Sequence, residues 1–180
     1  MLESIKNWVF YREYHAVGSR RKRNVSGVNP ERTFFILFDG TSEEDRKTVH
    51  RFKKMINKDG SRDVKSLAFV DNNLPLDNVD YAAYNRKNLK WYGVPFGPKI
   101  DEYLGMDFDV MIVLCNSMQP HFEYIIGLTA ASFIIGPAIE RAEAYFDLIV
   151  DTAGETGLET IIKKMIAAVD LVSVKSPARQ

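Results

Sequence analysis

Apolar and polar residues alternate at helical spacing near the amino terminus. Apolar side chains recur there at intervals of three and four, the period of one helix face, at Leu2, Ile5, Trp8 and Val9. We therefore predict an amphipathic helix from Leu2 to about Ala16, its apolar face widened by aromatic residues. The segment that follows carries a basic run and then a glycine and a proline, which indicates a linker.

From residue 33 onward, short apolar runs typical of buried strands alternate with segments typical of helices. The predicted strands are residues 33–38, 64–70, 79–84, 108–114, 132–135 and 146–150. The predicted helices are residues 43–58, 100–104, 119–131 and 157–170. This alternation favours parallel strands joined by right-handed crossovers, with helices on both faces. We predict an α/β fold, a three-layer Rossmann-like and mostly parallel sheet.

The predicted organisation divides the chain into three parts. Residues 1–32 form the amphipathic helix and basic linker, residues 33–172 the Rossmann-like domain, and residues 173–180 a polar tail. For the sheet we favour the strand order 3-2-1-4-5-6, and the flavodoxin-like order 2-1-3-4-5 is the alternative.

The first strand-to-helix turn argues against a nucleotide phosphate at this position. It contains neither a Gly-x-Gly-x-x-Gly motif nor a glycine loop that ends in Lys-Ser/Thr. The helix after it opens with Glu43, Glu44 and Asp45, whose charges would repel a phosphate at that helix terminus. Thr41 and Glu44 have the spacing of a capping box, so we expect Thr41 to cap this helix.

Polar side chains follow several predicted strands, and the carboxyl ends of parallel strands meet at one edge of a sheet. The candidate ligand-binding residues are Asp39, Thr41, Asn116, Ser117, His121 and Asp151. Such residues also commonly end strands and cap helices without binding anything. His121 could act as an acid or base in this crevice, but we expect it to face solvent at a helix start. The sequence assigns no catalytic residue and leaves any cofactor unknown.

Histidine and cysteine spacing predicts no metal centre. The three histidines, at positions 15, 50 and 121, are not spaced as a zinc pair, and Cys115 has no cysteine neighbour. Cys115 ends a buried strand, where a small packing role is expected. Ser117 lacks the Gly-x-Ser-x-Gly context of a hydrolase nucleophile.

Charge is balanced over the 180 residues, with 24 basic and 24 acidic side chains, but it is unevenly distributed. The first 33 residues carry seven basic against three acidic side chains. The candidate partner-binding residues are Trp8, Tyr11, Arg20, Arg21, Lys22 and Arg23. Cations beside aromatic residues suit an anionic membrane surface or the phosphates of RNA. Alternatively, the helix packs on its own sheet, on a protein partner or on a second copy in a homodimer.

Apolar runs are too short for a transmembrane segment, which needs roughly 20 residues. The amino terminus also lacks the apolar core of a secretion signal. A single cysteine gives no sign of an oxidising compartment, so we expect cytoplasmic residence.

Four stretches of the chain, together with the basic amino terminus, resemble a family of small uncharacterised bacterial proteins common in Bacteroidota. These stretches are Phe38–Asp45, Lys87–Pro95, Phe108–Leu114 and Phe146–Asp151. A more distant likeness, in Phe108–Leu114, Tyr124–Ala131 and Phe133–Gly136, is to the N-terminal half of heptosyltransferase-type glycosyltransferases. This second resemblance implies a Rossmann-like fold. In those enzymes a second domain binds most of the sugar donor.

These observations favour a non-catalytic or degenerate Rossmann-like binding protein that acts through a protein, RNA or membrane partner. The alternative is a small-molecule-binding domain or a glycosyltransferase-like enzyme that uses the strand-end crevice.

Overall fold

A computed structural model describes residues 2–17, 32–57, 62–76, 80–155 and 157–174. Within these ranges, six parallel strands form one sheet in the order β3-β2-β1-β4-β5-β6. The strands are β1 (Arg32–Asp39), β2 (Arg62–Val70), β3 (Ala83–Asn85), β4 (Val110–Leu114), β5 (Phe133–Pro137) and β6 (Leu148–Val150). The predicted α/β class and the favoured strand order are both confirmed.

The central strand β1 determines where a ligand crevice can form. It pairs with β2 from Arg32↔Arg62 to Asp39↔Phe69, and with β4 from Phe34↔Val110 to Phe38↔Leu114. The chain adds strands to one side of β1 and then returns to add the others on the opposite side. The strand order therefore reverses between β1 and β4, which is where ligands bind in open α/β sheets.

Helices cover both faces of the sheet, as predicted. The described helices are α1 (Leu2–Val17), α2 (Glu43–Asn57), α3 (Pro98–Leu104), α4 (Pro120–Leu128) and α5 (Leu158–Val174), of which α2 to α5 cover the sheet. Phe34, Ile36 and Phe38 of β1 pack with α2 and α5, whereas Phe35 and Leu37 pack with α3 and α4. Because both faces of β1 are buried, its sequence is continuously apolar.

Helix α1 lies outside these three layers and packs on α4. Phe10 is buried in a separate cluster with Val94, Tyr124 and Leu128. Gly127 leaves room for Tyr14, because a Cβ at position 127 would overlap the Tyr14 ring. The alternative of a helix packed within its own chain is therefore observed for the inner face of α1, although the contact is with α4 and residue 94 and not with the sheet itself.

The expected cap of α2 is wrong by one residue. The helix begins at Glu43, and the Ser42 hydroxyl oxygen accepts the Asp45 N–H at 3.4 Å. The Thr41 hydroxyl oxygen instead accepts the Asp71 N–H at 2.9 Å. Thr41 is one residue too far from the helix start to cap it, so its hydroxyl joins the ends of β1 and β2.

Several element boundaries differ from the predictions by a few residues, and three of them matter here. The third strand is Ala83–Asn85 rather than residues 79–84, and residues 77–79 lie outside the described ranges. Helix α4 ends at Leu128, where Thr129 adopts extended backbone. Helix α5 continues to Val174, into the segment predicted as a polar tail, and residues 175–180 lie outside the description.

Candidate functional site

A crevice of about 570 Å³ opens at the carboxyl ends of β1, β2 and β4. It brings together four of the predicted ligand-binding residues, Asp39, Asn116, Ser117 and His121. The other lining residues are Phe69, Asp71, Arg86, Leu89, Gly93, Cys115, Gln119, Pro120 and Phe122. The parallel sheet explains this convergence, because all strand ends lie at one edge.

Asp39 is the last residue of β1, and its exposed carboxylate lies at the rim of the crevice. Its Oδ1 atom accepts the Thr41 N–H at 2.9 Å, a short-range turn that fixes the side chain. The negative charge of Asp39 acts on both His121 and Tyr84, which places these three groups in one electrostatic environment.

His121 is buried, so the expectation that it faces solvent is wrong. Helix α4 begins at Pro120, and a long side chain in a helix leans back toward the amino end of the helix. The imidazole therefore lies over Phe69, with ring centroids 4.2 Å apart, and Nδ1 is 2.8 Å from the Tyr84 hydroxyl.

Burial keeps the His121 imidazole neutral. Removal from water lowers the pKa of His121 to about 4, although the carboxylates of Asp39 and Asp71 act in the opposite direction. Burial also raises the pKa of Tyr84 well above its ordinary value. Within the described residues this hydroxyl has one hydrogen-bond partner, so we assign it as the donor to Nδ1. The proton of the neutral ring is then on Nε2.

Asp71 and Arg86 form an ion pair in the wall of the crevice. Arg86 donates through Nε to Oδ1 and through Nη2 to Oδ2, the second bond measuring 2.9 Å. The hydrogen bond from Arg86 holds the pKa of Asp71 below its ordinary value. Sequence reasoning missed this pair, and nothing in the sequence pattern singles out Arg86 or Tyr84.

The polar groups next to β4 show little sign of nucleophilic chemistry. Burial raises the pKa of the Cys115 thiol to about 12, so it stays protonated and unreactive at neutral pH. The Gln119 amide donates to the Ser117 hydroxyl oxygen at 3.2 Å. In the described ranges, no group of three His, Cys, Asp or Glu side chains could hold a metal ion.

Thr41 and Asp151 are at the same edge of the sheet but do not line this crevice. The Thr41 hydroxyl is bonded to the Asp71 N–H. Asp151 follows β6, which β5 separates from β4, and its Oδ1 atom accepts the Ala153 N–H at 2.9 Å. Asp151 therefore makes a local turn contact, whereas Thr41 links the ends of β1 and β2.

The outer face of α1 is a second candidate surface. Leu2, Ile5 and Trp8 expose 73%, 48% and 63% of their surface. The Arg12 guanidinium lies 5.5 Å from the Trp8 ring centroid. Tyr11 is less exposed, and its hydroxyl donates to Glu123 of α4 at 3.3 Å. The predicted cations Arg20, Arg21, Lys22 and Arg23 lie outside the described residues.

The inner face of α1 is attached to the body by charge as well as by Phe10. The Glu13 carboxylate accepts hydrogen bonds from the Lys90 ammonium and the Tyr92 hydroxyl. Partial burial alone would raise the pKa of Glu13, but these two hydrogen bonds hold it below its ordinary value. The orientation of α1 is therefore set by specific contacts.

None of the described helices has the combination of length and apolar character needed to cross a membrane. Residues 6–167 match the model of a family described as a family of unknown function, DUF6913. No curated protein matches the chain, and no solved structure does.

Proposed function

Because the chain belongs to the DUF6913 family of unknown function, we propose a function from its own geometry. The protein is a non-catalytic Rossmann-like binding protein that attaches to an anionic membrane surface through the outer face of α1. The observation that carries this proposal is the exposure of Leu2, Ile5 and Trp8 on a helix that is already fixed to the body.

The two faces of α1 have separate roles. Phe10 and Tyr14 are four residues apart and face α4. Ile5, Trp8 and Arg12 are three and four residues apart and lie on the opposite side of the helix. Association can therefore bury Ile5 and Trp8 while Phe10 keeps its place in the fold.

The residue types favour a lipid surface over RNA. Nucleic-acid bases stack on aromatic rings, whereas the Leu2 and Ile5 side chains are aliphatic and offer no ring for stacking. Interfacial helices insert both aliphatic and aromatic side chains at the boundary of headgroups and acyl chains. The run Arg20–Arg23 follows the helix closely in sequence, and each cation near an anionic surface adds about 1 kcal/mol.

The same surface is small for a stable dimer. A typical protein interface buries about 800 Å² on each partner, which takes many more side chains than the few apolar ones that α1 exposes. RNA, a protein partner and a homodimer remain the alternatives that the experiment must separate.

The glycosyltransferase-like enzyme remains a less favoured proposal. It rests on the sequence resemblance, as does the expectation that the family is bacterial and common in Bacteroidota. Cytoplasmic residence, expected from the sequence, would place the protein at the inner leaflet. Against catalysis, the Cys115 thiol is protonated and Asp71 is paired with Arg86.

Vesicle co-sedimentation of the full chain tests the proposal. We expect binding to phosphatidylcholine vesicles that contain phosphatidylglycerol, weaker binding without the anionic lipid, and weaker binding at high salt. The double variant Ile5→Ser/Trp8→Ser should lose about tenfold or more in affinity, since it removes apolar area that would enter the interface. Trp91→Ser is the matched control, because Trp91 is 61% exposed and lies outside α1.

Two further measurements distinguish the alternatives. In a Trp91→Phe background, Trp8 is the single indole, and its fluorescence should shift to the blue on vesicle binding. Absence of vesicle binding would overturn the proposal. Under that outcome, tight binding of a single-stranded RNA would favour nucleic acid, and a Trp8-dependent dimer in sedimentation velocity would favour self-association.

A further inference from the structure

We infer that the strand-end crevice binds a small organic molecule that is neutral or cationic. The molecule has an apolar body and an amine or hydroxyl donor that faces Asp39. This inference concerns a site separate from the outer face of α1, and it does not depend on membrane attachment.

His121 supplies the observation that points to a ligand. His121 is buried, with 6% of the residue exposed, and it lines the crevice. Nδ1 is bonded to Tyr84, and across the described residues Nε2 has no acceptor. Buried N–H groups are nearly always hydrogen-bonded, to protein, water or ligand. Nε2–H therefore needs an acceptor, which an oxygen or another uncharged acceptor of a bound molecule can supply, whereas a protonated amine can bond only to Asp39.

Asp39 determines which ligand charge the crevice favours. Asp71 is neutralised by Arg86 and His121 is neutral, so Asp39 leaves the wall with one uncompensated negative charge. Only Oδ1 of Asp39 has a hydrogen-bond partner in the described part of the chain. Oδ2 can therefore accept from an amine or a hydroxyl, whereas a carboxylate or phosphate would be repelled.

The amino end of α4 gives an anion little compensation. Pro120 has no N–H, and the amides of Phe122 and Glu123 both donate to the Gln119 carbonyl, at 3.0 and 2.9 Å. Anion sites at helix termini depend on several free amides that point at the ligand. Here two of the first amides are already bonded and one is absent.

The remaining walls suit an apolar ring or chain. Phe69, Leu89, Pro120 and Phe122 contribute apolar surface, and a volume of about 570 Å³ is within the range of small-molecule sites. Asn116, Ser117 and Gln119 add amide and hydroxyl groups at the rim. The site thus combines apolar walls, one carboxylate acceptor and one imidazole donor.

Three probes with the same ring and different charge test the inference, namely benzylamine, benzyl alcohol and benzoate. Each is titrated into the isotope-labelled full chain, and the backbone amide shifts of Gly93, Asn116 and Ser117 are followed by NMR. We expect saturable shifts with benzylamine, weaker shifts with benzyl alcohol, and none with benzoate.

Two aspartate variants provide a matched pair. Asp39 ends β1 and Asp151 follows β6, and each carboxylate accepts the N–H two residues on at 2.9 Å, but only Asp39 lines the crevice. Asp39→Asn should weaken benzylamine binding about tenfold, the effect of one lost charge contact, and leave benzyl alcohol binding nearly unchanged. Asp151→Asn should change neither.

Three results would overturn the inference. They are equal or tighter binding of benzoate, the same loss of benzylamine binding in Asp39→Asn and Asp151→Asn, and no saturable shift with any probe. Vesicle binding is measured separately with the outer-face variants of α1, so failure of one proposal leaves the other to be judged on its own data.

Discussion

The strand-end crevice and the outer face of α1 differ in the contacts that their side chains make within the protein. In the crevice, polar groups bond mainly to one another, as in the pairs Asp71–Arg86 and Tyr84–His121. On α1, Ile5 and Trp8 are apolar and exposed, and they gain burial only through association. A crevice with few free polar atoms selects a small ligand, whereas an exposed apolar stripe suits a broad surface.

The two regions meet at residues 89–95. Leu89 and Gly93 line the crevice, while Lys90 and Tyr92 hold Glu13 of α1. The Gly93 N–H donates to the Lys90 carbonyl at 2.8 Å, which closes a tight turn between them. The position of α1 and the shape of one crevice wall are therefore set by the same short segment.

The largest expected difference in the free energy of unfolding is between substitutions on the inner face of α1 and substitutions on its outer face. Phe10→Ala should lower the free energy of unfolding by about 3 kcal/mol, because it removes a buried ring and leaves a cavity. Trp8→Ala should change it by less than about 0.5 kcal/mol, because the indole is exposed. Urea unfolding followed by circular dichroism measures both values.

Equal losses in these two variants would contradict the separation of the faces. They would mean that Trp8 is buried in the folded protein, and the proposed membrane surface would then be absent. Tyr14→Ala provides a second check, because it removes the ring that occupies the space beside Gly127.

In the crevice, we expect stability to depend on pH through His121. The folded-state pKa of about 4 lies below the ordinary 6.5, so the unfolded chain binds the proton first as pH falls. Between pH 7.5 and 5 the free energy of unfolding should fall by about 2 kcal/mol from this group, with little further loss below pH 4. Urea unfolding at several pH values shows this slope.

His121→Asn should reduce that slope, whatever its effect at neutral pH. His50→Asn is the matched control, because His50 is exposed on α2 and lies outside the crevice. An unchanged slope in His121→Asn would contradict the buried neutral imidazole.

The sheet could be predicted because its determinants are local and repetitive. Phe34–Phe38 is apolar at every position, which is how a strand buried on both faces must read. The start of α2 could not be fixed to the residue, because Thr41 and Ser42 are both good caps. The choice depends on the Thr41 contact with Asp71, thirty residues away.

The candidate site could be predicted only in part, for the same reason. Asp39 ends β1, Asn116 and Ser117 follow β4, and the parallel sheet alone brings them to one edge. The burial of His121 depends on Phe69 of β2 and Tyr84 of β3. No local sequence pattern around His121 reveals these contacts. Asp151 has the same strand-end signature as Asp39 but lies beyond β5.

The smallest expected effect on stability concerns the ion pair between Asp71 and Arg86 in the wall of the crevice. Asp71 and Arg86 are both substantially exposed, so water screens their attraction, and Asp71→Asn should cost less than about 1 kcal/mol. A double-mutant cycle with Arg86→Gln, measured by urea unfolding, gives the coupling directly. A coupling well above that value would mean that the pair is shielded from solvent. The charges of Asp71 and Arg86 would then offset each other more fully, and Asp39 would still be the carboxylate that determines the preference for benzylamine.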